Sequence, residues 1–163
     1  MKGKVDWLDL LRMLLRFQIN HVGFSGDLKQ FYPSIALHPS QWNLQRVLWR
    51  EGLSLDAPIE EIIILTLIFG VRAVSALSEK SLVMLAEYVE KNNTRLAELL
   101  KEDRFVDDLG SSEKDDESVN AIIRAADELF ESVGLSVKGW SKSGSEPHPD
   151  VTADGVSVDI GGM

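Results

Sequence analysis

Arg104-Phe105-Val106-Asp107-Asp108-Leu109-Gly110-Ser111 sets two adjacent carboxylates between an apolar pair and a run of turn-forming residues. Successive side chains of a strand point to opposite faces, so in a hairpin Asp107 and Asp108 sit at the tip and diverge unless the turn realigns them. Adjacent carboxylates repel. A basic neighbour or a cation relieves the repulsion, and magnesium, which takes oxygen ligands, suits such a pair best. Taken alone, the stretch reads equally well as an acidic hairpin tip in an acidic chain. A third carboxylate far upstream changes the balance. Asp27 ends the run His21-Val22-Gly23-Phe24-Ser25-Gly26, which alternates like a half-buried strand, and Leu28-Lys29-Gln30-Phe31-Tyr32-Pro33-Ser34 follows it.

The 163 residues suffice for one domain with a proper core, and 44% hydrophobic with 26% charged content is ordinary for a globular protein. There is no cysteine, which removes disulfides and thiolate zinc sites. His21, His38 and His148 lie without metal-ligand spacing, so any metal is expected to be held by oxygen. The longest apolar run, Ile62 to Val71, is broken by Thr66 and Gly70 and falls short of the roughly 20 residues that span a bilayer. Met1-Lys2-Gly3-Lys4 leads into an amphipathic segment rather than a signal peptide. An intracellular, cytoplasmic setting without a membrane partner is the expectation. A formal net charge of −9 argues against a free-standing nucleic-acid binder, because such domains carry a basic face that displaces counterions.

Along the chain, Asp6 can cap a helix from about residue 7 to 18, with Leu8, Leu11, Leu15 and Leu10, Leu14, Phe17 forming a broad apolar face and Arg12 and Arg16 on the polar side. After the Asp27 strand come an extended or 3₁₀ turn bounded by Pro33 and Pro39, a short helix at Ser40–Asn43 and a strand at Val47–Trp49. Glu60 to Phe69, rich in branched residues, predicts a central strand ended by Gly70. Helical patterns follow over Ala73–Lys91 and Thr94–Lys101, leading to the Asp107-Asp108 hairpin. Ser111 to Glu117 reads as a polar lead into a helix bearing Val119, Ile122, Ile123, Ala126, Leu129 and Phe130, which Gly134 ends before a strand at Leu135–Lys138. Beyond Trp140 the composition turns to a loop through Pro149, and Val151–Ile160 carries a weak hairpin signal around Asp154-Gly155. The order suits an α+β fold, an antiparallel sheet with helices packed on one face in the split βαβ manner.

Four motifs in this order resemble the successive palm motifs of a reverse transcriptase: Asp27-Leu28-Lys29-Gln30-Phe31-Tyr32, Phe69-Gly70-Val71 before a helix with Ser75-Ala76, Phe105-Val106-Asp107-Asp108, and Lys138 after Gly134-Leu135. The helix Trp7 to Phe17, Leu48-Trp49-Arg50, Trp140-Ser141-Lys142 and the ending from Asp154 to Met163 narrow the resemblance to the polymerase of BEL/Pao-type LTR retrotransposons. It covers essentially the whole chain. The resemblance implies a ferredoxin-like palm core over residues 1–140, with 141–163 as a loop and the truncated start of the following connection.

By that resemblance the chain is the palm fragment of an RNA-directed DNA polymerase from a retrotransposon polyprotein, working in a cytoplasmic particle. Its partners are an RNA or DNA template with primer, dNTPs, and the remaining polyprotein segments. Two-metal nucleotidyl transfer requires carboxylates converging from separate strands on ions roughly 3.5–4 Å apart. The family's pattern assigns two Mg²⁺ ions, with Mn²⁺ as an alternative, to Asp27 and Asp107 as the bridging pair and Asp108 as the flanking ligand. Lys138 corresponds to the lysine that protonates or steadies the leaving pyrophosphate, and a solvated strand lysine is the other reading. Tyr32 corresponds to the aromatic ring that excludes a 2′-hydroxyl, with a core tyrosine as its alternative. Leu28, Phe69, Gly70, Phe105 and Val106 complete the substrate-binding set.

Three departures stand out. Ser75-Ala76 replaces the family's small residue followed by proline, Gly139 separates Lys138 from Trp140 where the two are usually adjacent, and no basic fingers, thumb, RNase H or integrase resemblance is present. The isolated fragment is therefore expected to be inactive, and a remnant serving as an interaction module is the alternative to the enzyme.

Overall fold

A computed structural model of the chain describes residues 7–53 and 55–143. The expected 144–149 loop and 151–160 hairpin lie outside the described residues. Packing divides the described residues into two compact units, one within 30–81 and one formed by 7–29 and 82–143.

The second unit holds a four-stranded antiparallel sheet. Its strands are β1 (Val22–Leu28), β4 (Arg104–Phe105), β5 (Asp108–Glu113) and β6 (Val137–Lys142), in the order β4-β5-β1-β6. Against it pack α1 (Trp7–Phe17), α3 (Thr94–Glu102) and α4 (Asp116–Ser132), giving the α+β class read from the sequence, though with α1 on one face and α3 and α4 on the other rather than all helices on one face. Alternation along β1 decides which helix goes where. Phe24, Gly26 and Leu28 are buried on one face, where Ser111 of β5, opposite Phe24, accepts from Arg95 of α3 and Trp140 of β6 donates to Asp127 of α4. The other face carries Gly23 and Gly110, and there α1 comes down: a methyl on Gly110 would lie 2.5 Å from Met13 Cε, and one on Gly23 2.8 Å from the Phe17 ring.

Local signals account for the helices. Asn93 accepts from Leu96 N at 2.9 Å and starts α3, while Asp115 accepts from Ser118 N at 2.8 Å and starts α4, whose first turn carries Asp116 and Glu117 in favourable dipole positions. Gly134, at φ 75°, ends α4 as Leu135 N turns back to Phe130 O at 2.8 Å. Leu96, Leu99 and Leu100 of α3 and Val119, Ile122, Ala126, Leu129 and Phe130 of α4 are buried with Phe24, Leu28 and Leu109 of the sheet.

The first unit holds a two-stranded sheet, β2 (Arg46–Trp49) paired with β3 (Glu60–Ile63), with Val47 opposite Ile62 and Trp49 opposite Glu60. A 3₁₀ helix at Pro39–Leu44 takes the place of the short helix expected from residue 40. α2 runs over Val74–Val89.

Several expectations are corrected. The 60–69 stretch is no central strand: only Glu60–Ile63 forms a ladder, all four residues are exposed, and Thr66 makes an isolated bridge to Ala36. Branched residues favour any extended chain, and burial depends on what comes to cover it. Residues 111–113 belong to β5, with Ser111 and Ser112 buried, because their hydroxyls are satisfied by Asp103, Arg95 and Arg16. β6 starts at Val137 and runs past Trp140 to Lys142. Leu11, Leu14 and Leu15 are exposed, whereas Arg16, read as part of the polar face, reaches inward.

Its target is Asp103, fully buried, which accepts from Arg16 Nε, from Arg95 Nη1 at 2.8 Å and from Ser111 Oγ at 2.6 Å. Arg95 also donates to Ser111 Oγ at 2.6 Å and to Glu113 at 2.6 Å. Burial works against the Arg95 charge, but the hydrogen bonds to Asp103 and Glu113 outweigh it and hold the guanidinium above its ordinary value. Breaking one side of a buried charge network costs about 3–5 kcal/mol, and both arginines keep partial solvent contact, which favours the lower end. Asp103→Ala should therefore lose about 3 kcal/mol in urea denaturation. A loss below about 0.5 kcal/mol, ordinary for a surface change, would show that the network is not structural.

Candidate active site

β1 and β5 are neighbours, and their register sets Asp27 directly opposite Asp108. Both lie on the face that carries Gly23 and Gly110, beyond the contacts of Phe17 and Met13. The hairpin tip differs from expectation by one residue: Phe105 pairs with Asp108, so the turn consists of Val106 and Asp107, and Asp108 opens β5. Val106 has φ 60° and Asp107 does not share the positive sign, the pattern of a II′ turn. The first central position of such a turn normally takes glycine. The Asp107 carbonyl accepts from Leu28 N at 3.0 Å, tying the tip to β1 immediately after Asp27.

The three carboxylates act on one another. Partial burial, then the charges of Asp107 and Asp27, push the Asp108 carboxyl above its ordinary range, with Lys138 pulling the other way. Lys138 Nζ is paired with Asp27 Oδ2, whereas Asp27 Oδ1 is buried without a hydrogen-bond partner. Of the residues assigned to catalysis by sequence, Asp27, Asp107, Asp108 and Lys138 thus meet at one end of the sheet. Leu28 is buried beside them, and Phe105 and Val106 are half-buried in the hairpin.

The remaining predicted substrate residues belong to the other unit. Tyr32 opens a 3₁₀ helix at Tyr32–Ser34, and its ring meets Phe69 edge-on, with centroids 5.0 Å apart. Phe31 stacks on the same ring with centroids 6.0 Å apart and is buried, while Phe69 is 75% exposed. Tyr32 is accordingly half-buried against one core ring and one open ring. Gly70 has φ 86° and open space where a side chain would be, which fits a close backbone approach and equally a chain turn.

Whether the donors suit a divalent cation is a question of chemistry and of arrangement. Oxygen-only ligands, mutual repulsion and an orphaned Asp27 oxygen all fit magnesium. Among the described residues, however, no three acidic or histidine side chains are already gathered on one point, and a lysine holds part of the cluster. Asp27, Asp107 and Asp108 are the residues that would hold such an ion.

Sequence reading overlooked two polar residues. Gln45 is buried, its Nε2 donating to Thr66 O at 2.8 Å and its Oε1 lacking a partner. Arg104, beside the hairpin, is buried and donates to Leu100 O at 2.6 Å. Neither stands in a pattern that marks a buried polar group in advance.

No family model and no curated protein matches the sequence. Among solved structures, a foamy viral protease-reverse transcriptase in complex with an RNA/DNA hybrid is similar to this chain, with a TM-score of 0.58 and 14% sequence identity. The match covers 84% of this chain and 16% of that one. The likeness is one of fold, and this chain corresponds to a small part of that protein.

The Asp108 shift has a testable sign. A carboxyl that holds its proton more tightly when folded favours the native state at low pH, and that contribution is lost as pH rises from the unfolded value, about 3.9, through the raised native one. Solvent contact keeps the effect small. Asp108→Asn should therefore gain stability relative to the native sequence between about pH 3 and about pH 7 in urea denaturation. An equal difference at both pH values would mean that Asp108 is not perturbed by its neighbours.

Proposed function

We propose that this chain is the palm portion of an RNA-directed DNA polymerase of retrotransposon origin, of the BEL/Pao type, which extends a primer on an RNA or DNA template with dNTPs. The observation that carries the proposal is Asp27 facing Asp108 across neighbouring antiparallel strands, with Asp107 in the intervening turn, on a fold shared with a reverse transcriptase. The same reading implies a cytoplasmic particle as its setting.

In this mechanism Asp27 and Asp107 would hold magnesium ions, or manganese in their place, with Asp108 as the flanking ligand. Two such ions, when bound, activate the primer 3′-hydroxyl and neutralise the leaving pyrophosphate. The chain's own groups do the rest. Leu28, buried on the opposite face, and the hairpin residues Phe105 and Val106 fix the carboxylate-bearing backbones. Lys138 offers an ammonium to the leaving phosphates. Tyr32, Phe69 and Gly70 belong to the other unit, and their roles, a ring that would exclude a 2′-hydroxyl and a backbone that would admit template or nucleotide, come from the family resemblance alone.

The net charge of −9 limits what the chain can do alone. At that net charge the counterion-release contribution that dominates such binding is weak, so the isolated chain should bind an RNA/DNA hybrid weakly. Tight, salt-sensitive binding in a filter or fluorescence assay would contradict this.

Primer extension by the longest open frame carrying the chain tests the enzyme itself. Second-shell partners of a metal are worth about 10–100-fold, so removal of a ligand in Asp107→Asn should lower extension with every nucleotide at least about 100-fold. Tyr32→Ala should instead raise kcat/KM for ribonucleotides relative to deoxyribonucleotides, because discrimination by the ring is steric. An unchanged ratio would make Tyr32 a packing residue, and an Asp107→Asn protein with undiminished activity would refute the polymerase assignment.

A further inference from the structure

β6 does not pair regularly with β1. Gly26 lies opposite Trp140 and Leu28 opposite Val137, so the single residue Asp27 faces two residues, Lys138 and Gly139. That is a β-bulge, an extra residue in one strand that bends the ladder and re-aims a side chain. Packing bears out the register: a methyl on Gly26 would meet Val137 Cγ1 at 2.8 Å and Trp140 Cε3 at 2.7 Å. In a regular strand, residues three apart point to opposite faces. Here both cover the same glycine, and Lys138 is turned to the side of Asp27.

The contact it makes there is unusual for a binding carboxylate. One Asp27 oxygen is paired with the Lys138 ammonium, and the other is buried without a partner. Lys138 is the cation that the structure sets against a cluster of three carboxylates. Its side chain is 56% exposed and that of Asp27 34%, so the pair is a partly solvated one. Such pairs contribute little, about 0.2–1 kcal/mol. A fully buried pair would lock the site, whereas this one can be opened by a stronger cation, and lysine's four-carbon stem gives the ammonium room to swing aside.

We infer that Lys138, aimed by the Gly139 bulge, is a built-in counter-ion that occupies Asp27 until a divalent cation binds and displaces it. The inference rests on the reading of Asp27, Asp107 and Asp108 as a cation site, and it adds how loading of that site is controlled. Binding of the cation replaces the ammonium on Asp27 and releases a positive charge beside the site for an anionic ligand. Gly139, which looks like a flaw in the spacing between Lys138 and Trp140, becomes the residue that makes the contact possible.

The test uses the chain as it is, with Mn²⁺ as the probe, free Mn²⁺ being read by its electron paramagnetic resonance signal. Any ammonium close to the site opposes the metal through its charge, and one in contact with Asp27 must also be moved off it before the metal binds. A counter-ion competes with it, so Lys138→Met should bind Mn²⁺ more tightly, by about two- to fivefold, the range that a partly exposed ion pair can supply. Lys138→Arg, which keeps the charge, should stay near the native affinity, and deletion of Gly139 should shift toward Lys138→Met. In the native chain labelled with ¹³C-lysine, the Lys138 Cε resonance should move during a Mg²⁺ titration with the same midpoint as metal binding. Equal or weaker Mn²⁺ binding by Lys138→Met, or a Lys138 resonance that stays still while the metal binds, overturns the counter-ion. Undiminished Mn²⁺ binding by an Asp27→Asn, Asp107→Asn double variant would instead remove the cation site itself, and the absence of binding by both the native chain and Lys138→Met would remove both ideas.

Discussion

Everything at the carboxylate end of the sheet depends on one buried charge, Asp103. It ends α3 and precedes β4, and its backbone carbonyl accepts from Gly110 N at 2.8 Å while its carboxylate gathers Arg16, Arg95 and Ser111. Three elements, α1, α3 and β5, are thereby tied to the base of the hairpin that carries Asp107. A buried ion network is weak grounds for high stability, since apolar packing of similar volume often does as well. What it supplies is direction. A slip of one residue along β5 would turn Asp108 to the other face and leave Asp103 and Ser111 without partners, so the network penalises wrong registers of a very short β4.

Close backbone approach on the sheet then decides where open space remains. Gly23 and Gly110 let the Phe17 ring and Met13 rest directly on the strands, and Gly26 does the same for Val137 and Trp140. With α1 seated so near, the sheet needs no further side chains to fill that part of its face. Asp27 and Asp108 lie along the same face, where polar groups keep solvent contact and can meet a ligand. The apolar face opposite, with Phe24, Leu28 and Leu109, is closed by α3 and α4.

Much of this is legible in the sequence, because alternation around Asp27, the Asp107-Asp108 pair and the polar lead into α4 are local signals. The pairing of β1 with the hairpin follows from three acidic positions that have no other reason to share a sheet. Harder to read were the features set by distant partners. Arg16 looks solvated on a helical wheel until Asp103 is brought beneath it, and Ser111 and Ser112 look like a loop until Arg95 and Arg16 satisfy them. The 60–69 stretch has strand propensity without any signal of which segment will pair with it, and the chain divides it between β2 and the bridge at Ala36. Gly139 is visible as an oddity of spacing, but only the register of β6 explains it.

Val106 is the last constraint, and it runs against local preference. A β-branched residue at φ 60° is strained, at a cost of about 1–3 kcal/mol, where glycine would be relaxed. The conformation persists because both ends of the turn are fixed: Phe105 is paired with Asp108, and the Asp107 carbonyl is held by Leu28 N. Relaxing Val106 would require giving up one of these, and either change would move Asp107 relative to Asp27. A glycine there would lower the strain and widen the range of turn conformations at once. The side chain therefore trades stability for a narrow range of turn geometries, which is what a pair of carboxylates that must converge on one ligand needs from the residue between the strands.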